Sequence, residues 1–274
     1  MQKTIFITGS TDGIGLETAK RLLLQGHSVL LHGRNPSKLK ETEKALTKLS
    51  SDGLIESYLA DLSNIAEVED LVKAVASRHD KLDVLINNAG IYKTNNPVTQ
   101  DGFDVRFMVN TIAPYVLTQG LLPLLGTSGR VINLSSAAQS PVNIEALMGK
   151  VQLHEAFEAY AQSKLAFTEW SRSMALSIKD KGPAIIAVNP GSLLGTKMVK
   201  QGFNVAGNDI SIGVDILIRV ALTEEFKKAT GKYWDNDSGQ FASPHPDALN
   251  PEKCQETIKA IELVVAELKQ SIKT

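Results

Sequence analysis

The sequence predicts a single doubly wound α/β domain, with a mostly parallel, seven-stranded sheet and helices on both faces. Three observations carry this reading. Strand-like and helix-like stretches alternate along the 274 residues, as in a parallel sheet built from crossover units. A glycine-rich turn separates the first strand from the first helix. Polar residues follow the strands, on the edge where such sheets bind ligands. No linker or low-complexity segment divides the chain, so 1–274 reads as one domain with substrate loops at about 137–156 and 192–211.

The elements follow in order. Thr4-Ile5-Phe6-Ile7-Thr8 is β-branched and aromatic, a buried strand. Leu16, Ala19, Leu22, Leu23 and Leu24 then recur at helical spacing, and Gly26 closes that helix. Ser28 to His32 is the second strand, Pro36 to Leu49 a helix and Leu54 to Ala60 the third strand. Asn64 to Arg78 is a helix with Ser63 or Asn64 as its cap. Val84 to Ile86 is the fourth strand. A long helix runs from about Asp101 to Leu125, bent near Pro114. Arg130 to Leu134 is the fifth strand, Phe157 to Lys179 a helix and Ala184 to Val188 the sixth strand. Gly231 to Trp234 reads as a short seventh strand. A Pro/Asp/Ser-rich run from Ser243 to Pro251 leads into a last helix, Glu252 to Leu268.

Composition excludes several classes. Hydrophobic residues make up 43% and charged residues 22%, ordinary for a globular protein. The net charge is −1 with no basic block, which argues against a nucleic-acid surface. No apolar run approaches the ~18 residues that span a bilayer. The first strand begins by residue 3 or 4, leaving no room for a removable leader. Cys254 is the only cysteine, so no internal disulfide forms and a cytoplasmic, reducing compartment fits. His154-Glu155 with Glu158 lacks the second histidine of a metalloprotease helix, and no metal site is read there. The apolar segment Ile216 to Leu222 reads as a core-facing helix.

The turn Gly9-Ser10-Thr11-Asp12-Gly13-Ile14-Gly15 carries the first chemistry. A helix start has unpaired N–H groups and a positive dipole end, and so attracts phosphate. Gly9 can make the sharp turn. Gly13 and Gly15 lack Cβ atoms, so a pyrophosphate can approach and the helix can pack on the strand. An NAD site usually places a carboxylate after the second strand. Here that position reads Gly33-Arg34-Asn35, with an arginine suited to a 2′-phosphate, so the expectation is NADP(H) rather than NAD(H). A solvated surface arginine is the alternative.

Together with Asp61, Asn87-Asn88-Ala89-Gly90, Asn110, Ser136, Tyr160-Ala161-Gln162-Ser163-Lys164 and Asn189-Pro190-Gly191, the glycine turn with Thr8 resembles the short-chain dehydrogenase/reductase family over nearly the whole chain. The insert before Tyr160 and the ending around Gly231-Lys232-Tyr233 look like its retinol-dehydrogenase-like branch. Tyr160 and Lys164, four residues apart, share a helix face. A nearby ammonium lowers a phenol's pKa. The resemblance implies a Rossmann-type carbonyl reductase or alcohol dehydrogenase with Tyr160 as acid/base and Lys164 as its tuner and ribose ligand. It also implies Ser136, rather than Ser135, as the carbonyl anchor and Asn110 as a water-mediated proton relay to Lys164. Their alternatives are a surface ion-type pair, a strand-end turn and a buried structural hydrogen bond.

For the cofactor, the resemblance implies Gly9, Ser10, Asp12, Gly13, Ile14 and Gly15 at the phosphates, with Arg34 at the ribose edge. Asp61 and Leu62 meet adenine. Asn88, Ala89 and Gly90 line the ribose, and Pro190, Gly191 and Thr196 the nicotinamide. Asp12 departs from the basic residue that NADP-preferring relatives often carry there, and Thr196 stands one residue late. Expected partners are a small, lipophilic alcohol or carbonyl substrate, and a second copy in a homodimer or homotetramer paired through the two long helices. An NAD-linked dehydrogenase and a catalytically silent nucleotide sensor remain as alternatives.

Overall fold

The computed structural model describes residues 1–49 and 53–271. Strands β1 (Thr4–Ile7), β2 (Ser28–Gly33), β3 (Ile55–Leu59), β4 (Val84–Asn87), β5 (Arg130–Leu134), β6 (Ala184–Asn189), β7 (Tyr233–Asp235) and β8 (Gln240–Ala242) form one sheet. Their order is 3-2-1-4-5-6-7-8. Every pair is parallel except β7 with β8. The sequence order of strands reverses between β1 and β4, and a crevice opens at such a switch point.

The eighth strand is a correction to the seven expected. After β7 the run Asn236 to Gly239, with Gly239 at φ +68°, reverses the chain. Phe241 then packs edge-on to Trp234 with ring centroids 5.0 Å apart. The strand hides in a polar, turn-rich stretch because only three residues pair.

The alternation of side chains along a strand divides the core into two layers. Ile5, Ile7, Val29 and Leu31 face α1 (Gly13–Leu24), α2 (Pro36–Thr47) and the core-facing α9 (Ser211–Leu222). Phe6, Leu30, Leu85 and Val131 face the other layer. That layer holds α3 (Ile65–Arg78), α4 (Val105–Phe107), α5 (Ala113–Leu125), α6 (Ile144–Leu147) and α7 (Ala156–Ser177). The two substrate loops are not structureless: α6 lies in the first, and α8 (Lys197–Phe203) in the second.

The long helix expected from Asp101 begins later, at Val105, and its irregularity is not at Pro114. A π-turn, Met108–Ile112, separates α4 from α5 and ends two residues before Pro114, within a helix that runs unbroken from Val105 to Leu125. Sequence alone assigns the bend to proline because a π-turn has no residue signature. Against the expectation that no run could span a bilayer, Val105–Leu125 is long and apolar enough by length and composition, with mean hydropathy 1.2. Here 67% of its most apolar stretch is buried within the domain, packed on α3 through Gly120 against Val72.

After α10 (Pro246–Leu249), α11 (Pro251–Ser271) lies along α7 and reaches α3 and α6. It buries Cys254, Ala260, Ile261, Val264 and Leu268. Polar contacts fix its register: Tyr115 Oη of α5 donates to Glu262 at 2.9 Å, and Thr257 Oγ1 donates to Glu169 of α7 at 2.6 Å. Glu169 is 1% exposed. Burial, aided by Asp247 and Glu256, raises its pKa to about 7 against the opposing Thr257 hydrogen bond and Lys253. The unfolded chain therefore loses this proton first as pH rises from about 4.5 to 7, and the fold loses stability across that window. Glu169→Gln, which cannot ionise, should gain on the wild type by up to roughly 3 kcal/mol between pH 4.5 and pH 8. Urea unfolding at the two pH values measures it, and a constant difference would refute the assignment.

Candidate active site

The carboxyl ends of β1, β2, β4, β5 and β6 meet in one cleft of about 610 Å³. Its first wall is the glycine turn. Gly9 has φ +65°, and a Cβ there would lie 2.9 Å from the Ala89 Cα. A Cβ on Gly15 would lie 2.4 Å from Asn88 Nδ2 and 2.5 Å from the Gly9 carbonyl. These contacts admit only glycine. Asn88 Nδ2 donates to the Thr8 and Gly9 carbonyls at 2.9 and 3.0 Å, clamping the turn to the end of β4.

A second clamp comes from His32, which the sequence reading missed. Its Nδ1 accepts from the Gly9 N–H at 3.1 Å, and its Nε2 lies 3.1 Å from the Ala60 carbonyl. This pairing assigns the neutral Nε2–H tautomer. Burial lowers its pKa to about 4. Ser10, expected at the phosphates, is instead fully buried and bonds the His32 backbone in both directions.

The N–H groups of Ile14 and Gly15 have no partner among the described residues, while Asp12 caps Gly13 at 2.8 Å. Unpaired amides, a helix start and a Cβ-free floor together fit a dinucleotide's pyrophosphate. Gly9, Asp12, Gly13, Ile14, Arg34, Asp61, Leu62, Asn88, Ala89, Gly90, Pro190, Gly191 and Thr196 all line the cleft; Ser10 and Gly15 lie behind it. Arg34 is exposed at the rim. Asp61 uses Oδ1 to accept from the Ser63 N–H and hydroxyl at 2.9 and 2.8 Å. Thr196 caps α8 at the Val199 N–H, with its methyl directly over Gly13.

Asp12, the apparent misfit, is neutralised twice over. Lys38 Nζ lies 2.6 Å and Lys197 Nζ 3.0 Å from Asp12 Oδ2. Burial raises its pKa, but the two lysines and the Gly13 N–H prevail and hold it at about 2. One carboxylate thus sits between two ammonium groups. Lys38 was legible only as a polar position of α2, and Lys197 only as a loop lysine, because each reaches Asp12 through the fold.

The far wall holds the reacting groups. Ser135 and Ser136 end β5 but turn opposite ways. Ser135 Oγ is 2.6 Å from Thr168 Oγ1, turned into α7, and is 4% exposed. Ser136 lines the cleft, accepts from the Ala138 N–H at 3.1 Å and hydrogen-bonds Tyr160. Tyr160 and Lys164 sit one turn apart on α7 and both line the cleft. Lys164 Nζ donates to the Leu134 carbonyl at 2.6 Å and lies 5.7 Å from the Tyr160 ring centroid.

Burial lowers the Lys164 pKa to about 7. Burial raises the Tyr160 phenol above its usual value, with the Ser136 hydrogen bond opposing.

Asn110 does not line the cleft. It stands in the π-turn, fully buried. Its Oδ1 accepts from the Ile91 N–H at 2.8 Å; its Nδ2 donates to the Ile91 carbonyl and Ser163 Oγ, each at 2.9 Å. Both amide protons are engaged, and the side chain holds the segment after Gly90 against α7.

The comparisons agree with this geometry. The family model for short chain dehydrogenases matches residues 3–206. Retinol dehydrogenase 12 of Mus musculus is 31% identical, covering 88% of this chain and 80% of its own. Retinol dehydrogenase 13 of Mus musculus is 26% identical over 89% of this chain and 79% of its own. The crystal structure of an uncharacterized protein from Mycobacterium paratuberculosis superposes with a TM-score of 0.81 at 25% identity, covering 97% and 94% of the two chains. A glycine-clamped cleft, a Ser-Tyr-Lys wall and these matches have one reading: the chain belongs to the short-chain dehydrogenase family of oxidoreductases, in its retinol-dehydrogenase-like branch.

Proposed function

We propose that the protein transfers a hydride between NADP(H) and an apolar alcohol/carbonyl pair. The observation that carries this is the convergence of Ser136, Tyr160 and Lys164 on one wall of the cleft whose other end presents the glycine turn with Arg34 and Lys197. The nicotinamide, when bound, supplies or accepts the hydride. Arg34 and Lys38 hold a 2′-phosphate, the arginine through its planar fork of donors. Ile14 presents its backbone amide to the pyrophosphate, over the Cβ-free floor made by Gly13 and Gly15. Asp61 and Leu62 flank adenine. Pro190, Gly191 and Thr196 border the nicotinamide end.

The Ser136 hydroxyl holds the carbonyl oxygen, and the Tyr160 phenol delivers its proton there. Lys164, anchored on Leu134, binds a ribose hydroxyl and returns a proton toward Tyr160. Asn110 acts through Ile91, fixing the strand end that faces Lys164. Apolar Leu193, Leu194, Met198 and Phe203 at the cleft favour a lipophilic substrate. A cytoplasmic setting is part of the proposal, supported by the buried free thiol of Cys254. The working unit is proposed as a monomer, not the homodimer or homotetramer expected from the sequence, because α11 occupies a flank of α7 and bonds α5.

The raised phenol pKa gives the two directions of the reaction different pH profiles. Tyr160 stays protonated through neutral pH, so carbonyl reduction should be flat there, whereas alcohol oxidation needs the phenolate and should rise as pH increases. Tyr160→Phe should lower kcat about 100-fold or more with the NADPH Kd unchanged; near wild-type turnover would overturn the acid/base role. Arg34→Asp should weaken NADPH about 10–100-fold and NADH little, read by nucleotide fluorescence. An unchanged preference for NADPH over NADH would sink the phosphate role of Arg34. Light scattering on the eluted protein should give a single species at 29.6 kDa, and twice that mass would restore the dimer.

A further inference from the structure

The helix α8 buries none of its own residues, so little holds it except what it touches at its two ends. At its start, Lys197 pairs with Asp12 of the glycine turn at 3.0 Å. At its end, everything converges on one ring. Phe203 stacks on Tyr92 with centroids 5.2 Å apart and planes 18° from parallel. Gly202 lies so close that a Cβ there would sit 2.5 Å from Tyr92 Cδ1 and Cε1. Lys93 Nζ donates to the Gly202 carbonyl at 2.9 Å.

The same Tyr92 ring meets Tyr160 edge-on, centroids 5.3 Å apart, and Phe157 of α7 at 6.5 Å. It is 6% exposed and lines the cleft. Its hydroxyl has no hydrogen-bond partner among the described residues, so packing of the ring, not the phenol, fixes its place.

We infer that Tyr92 is a positioning residue: it seats the closed end of α8 against the acid/base tyrosine and, with Phe203, forms the wall that orients the substrate's non-reacting group. This rests on the proposed role of Tyr160. A weakly buried segment opens easily, and edge-on and stacked ring pairs favour defined orientations. Closing α8 onto Tyr92 therefore sets the cleft's width beside the reacting oxygen while Lys197 ties the same helix to the cofactor end.

The test compares full-length wild type, Tyr92→Leu, Tyr92→Phe, Phe203→Leu and the Tyr92→Leu/Phe203→Leu double variant. Amide hydrogen exchange across 193–208 and 160–175, the NADPH Kd, and KM and kcat on a carbonyl that the wild type reduces are measured for each. Tyr92→Leu should raise KM about tenfold, with a smaller change in kcat and an unaltered NADPH Kd. Exchange should quicken in 193–208 and not in 160–175. Tyr92→Phe should restore both. The double variant should be no worse than Tyr92→Leu alone, since both substitutions remove one ring pair. An unchanged KM with α8 still protected overturns the inference. So does quickened exchange throughout 160–175 with loss of NADPH binding, which would mark Tyr92 as a general core residue. If the wild type reduces no carbonyl, the Tyr160 role fails and the orienting role with it, while the exchange data alone still decide whether Tyr92 seats α8.

Discussion

The contact of the glycine turn with the end of β4 is the constraint on which the rest of the molecule depends. Gly9 meets Ala89 at a distance no side chain allows, and Asn88 ties the two backbones together. His32 holds the same turn from the β2 side. These contacts aim the start of α1 into the switch-point crevice. Were the turn to move by the width of a methyl group, the unpaired amides would no longer face the cleft.

Beneath the far wall runs a line of buried polar groups. Asn87 Nδ2 donates to Thr118 Oγ1 and Asn133 Oδ1, Asn133 Nδ2 to Ser171 Oγ, and Ser135 meets Thr168. Such a network tolerates few changes, because a buried polar atom left unpaired is costly. It fixes α7 against β4 and β5, so Tyr160 and Lys164 arrive with their rotamers already chosen. The same burial moves both pKa values, Lys164 down to about 7 and the Tyr160 phenol up. Precise placement and shifted ionisation have a common origin in burial.

Most of the architecture could be read from residue order. Apolar runs such as Ile5 to Ile7 and Ile185 to Val188 mark strands buried on both faces, and glycines at 9, 13 and 15 mark the turn. Tyr160, Lys164 and Ser136 stood out through the family resemblance; spacing and a strand-end position alone left a surface pair and a turn open. What escaped was whatever depends on chain segments far apart. The pairing of Asp12 with Lys38 and Lys197 spans 26 residues in one case and most of the chain in the other. The π-turn around Asn110 has no compositional mark, and β8 is too short for periodicity to detect. Tyr92 carries no mark in the sequence, since nothing local shows that it faces Phe203 more than a hundred residues on.

The packing of α11 on α7 has a consequence for biosynthesis. Ser177 closes α7, but α11 is complete only at Ser271. At typical elongation rates of 5–20 residues per second, that interval is roughly 5–20 s. Through it the flank of α7 around Glu169 lacks its cover, and the carboxyl has the acidity of any surface glutamate. Docking of the last helix then raises that pKa to about 7, so the final packing step takes up protons from the surroundings.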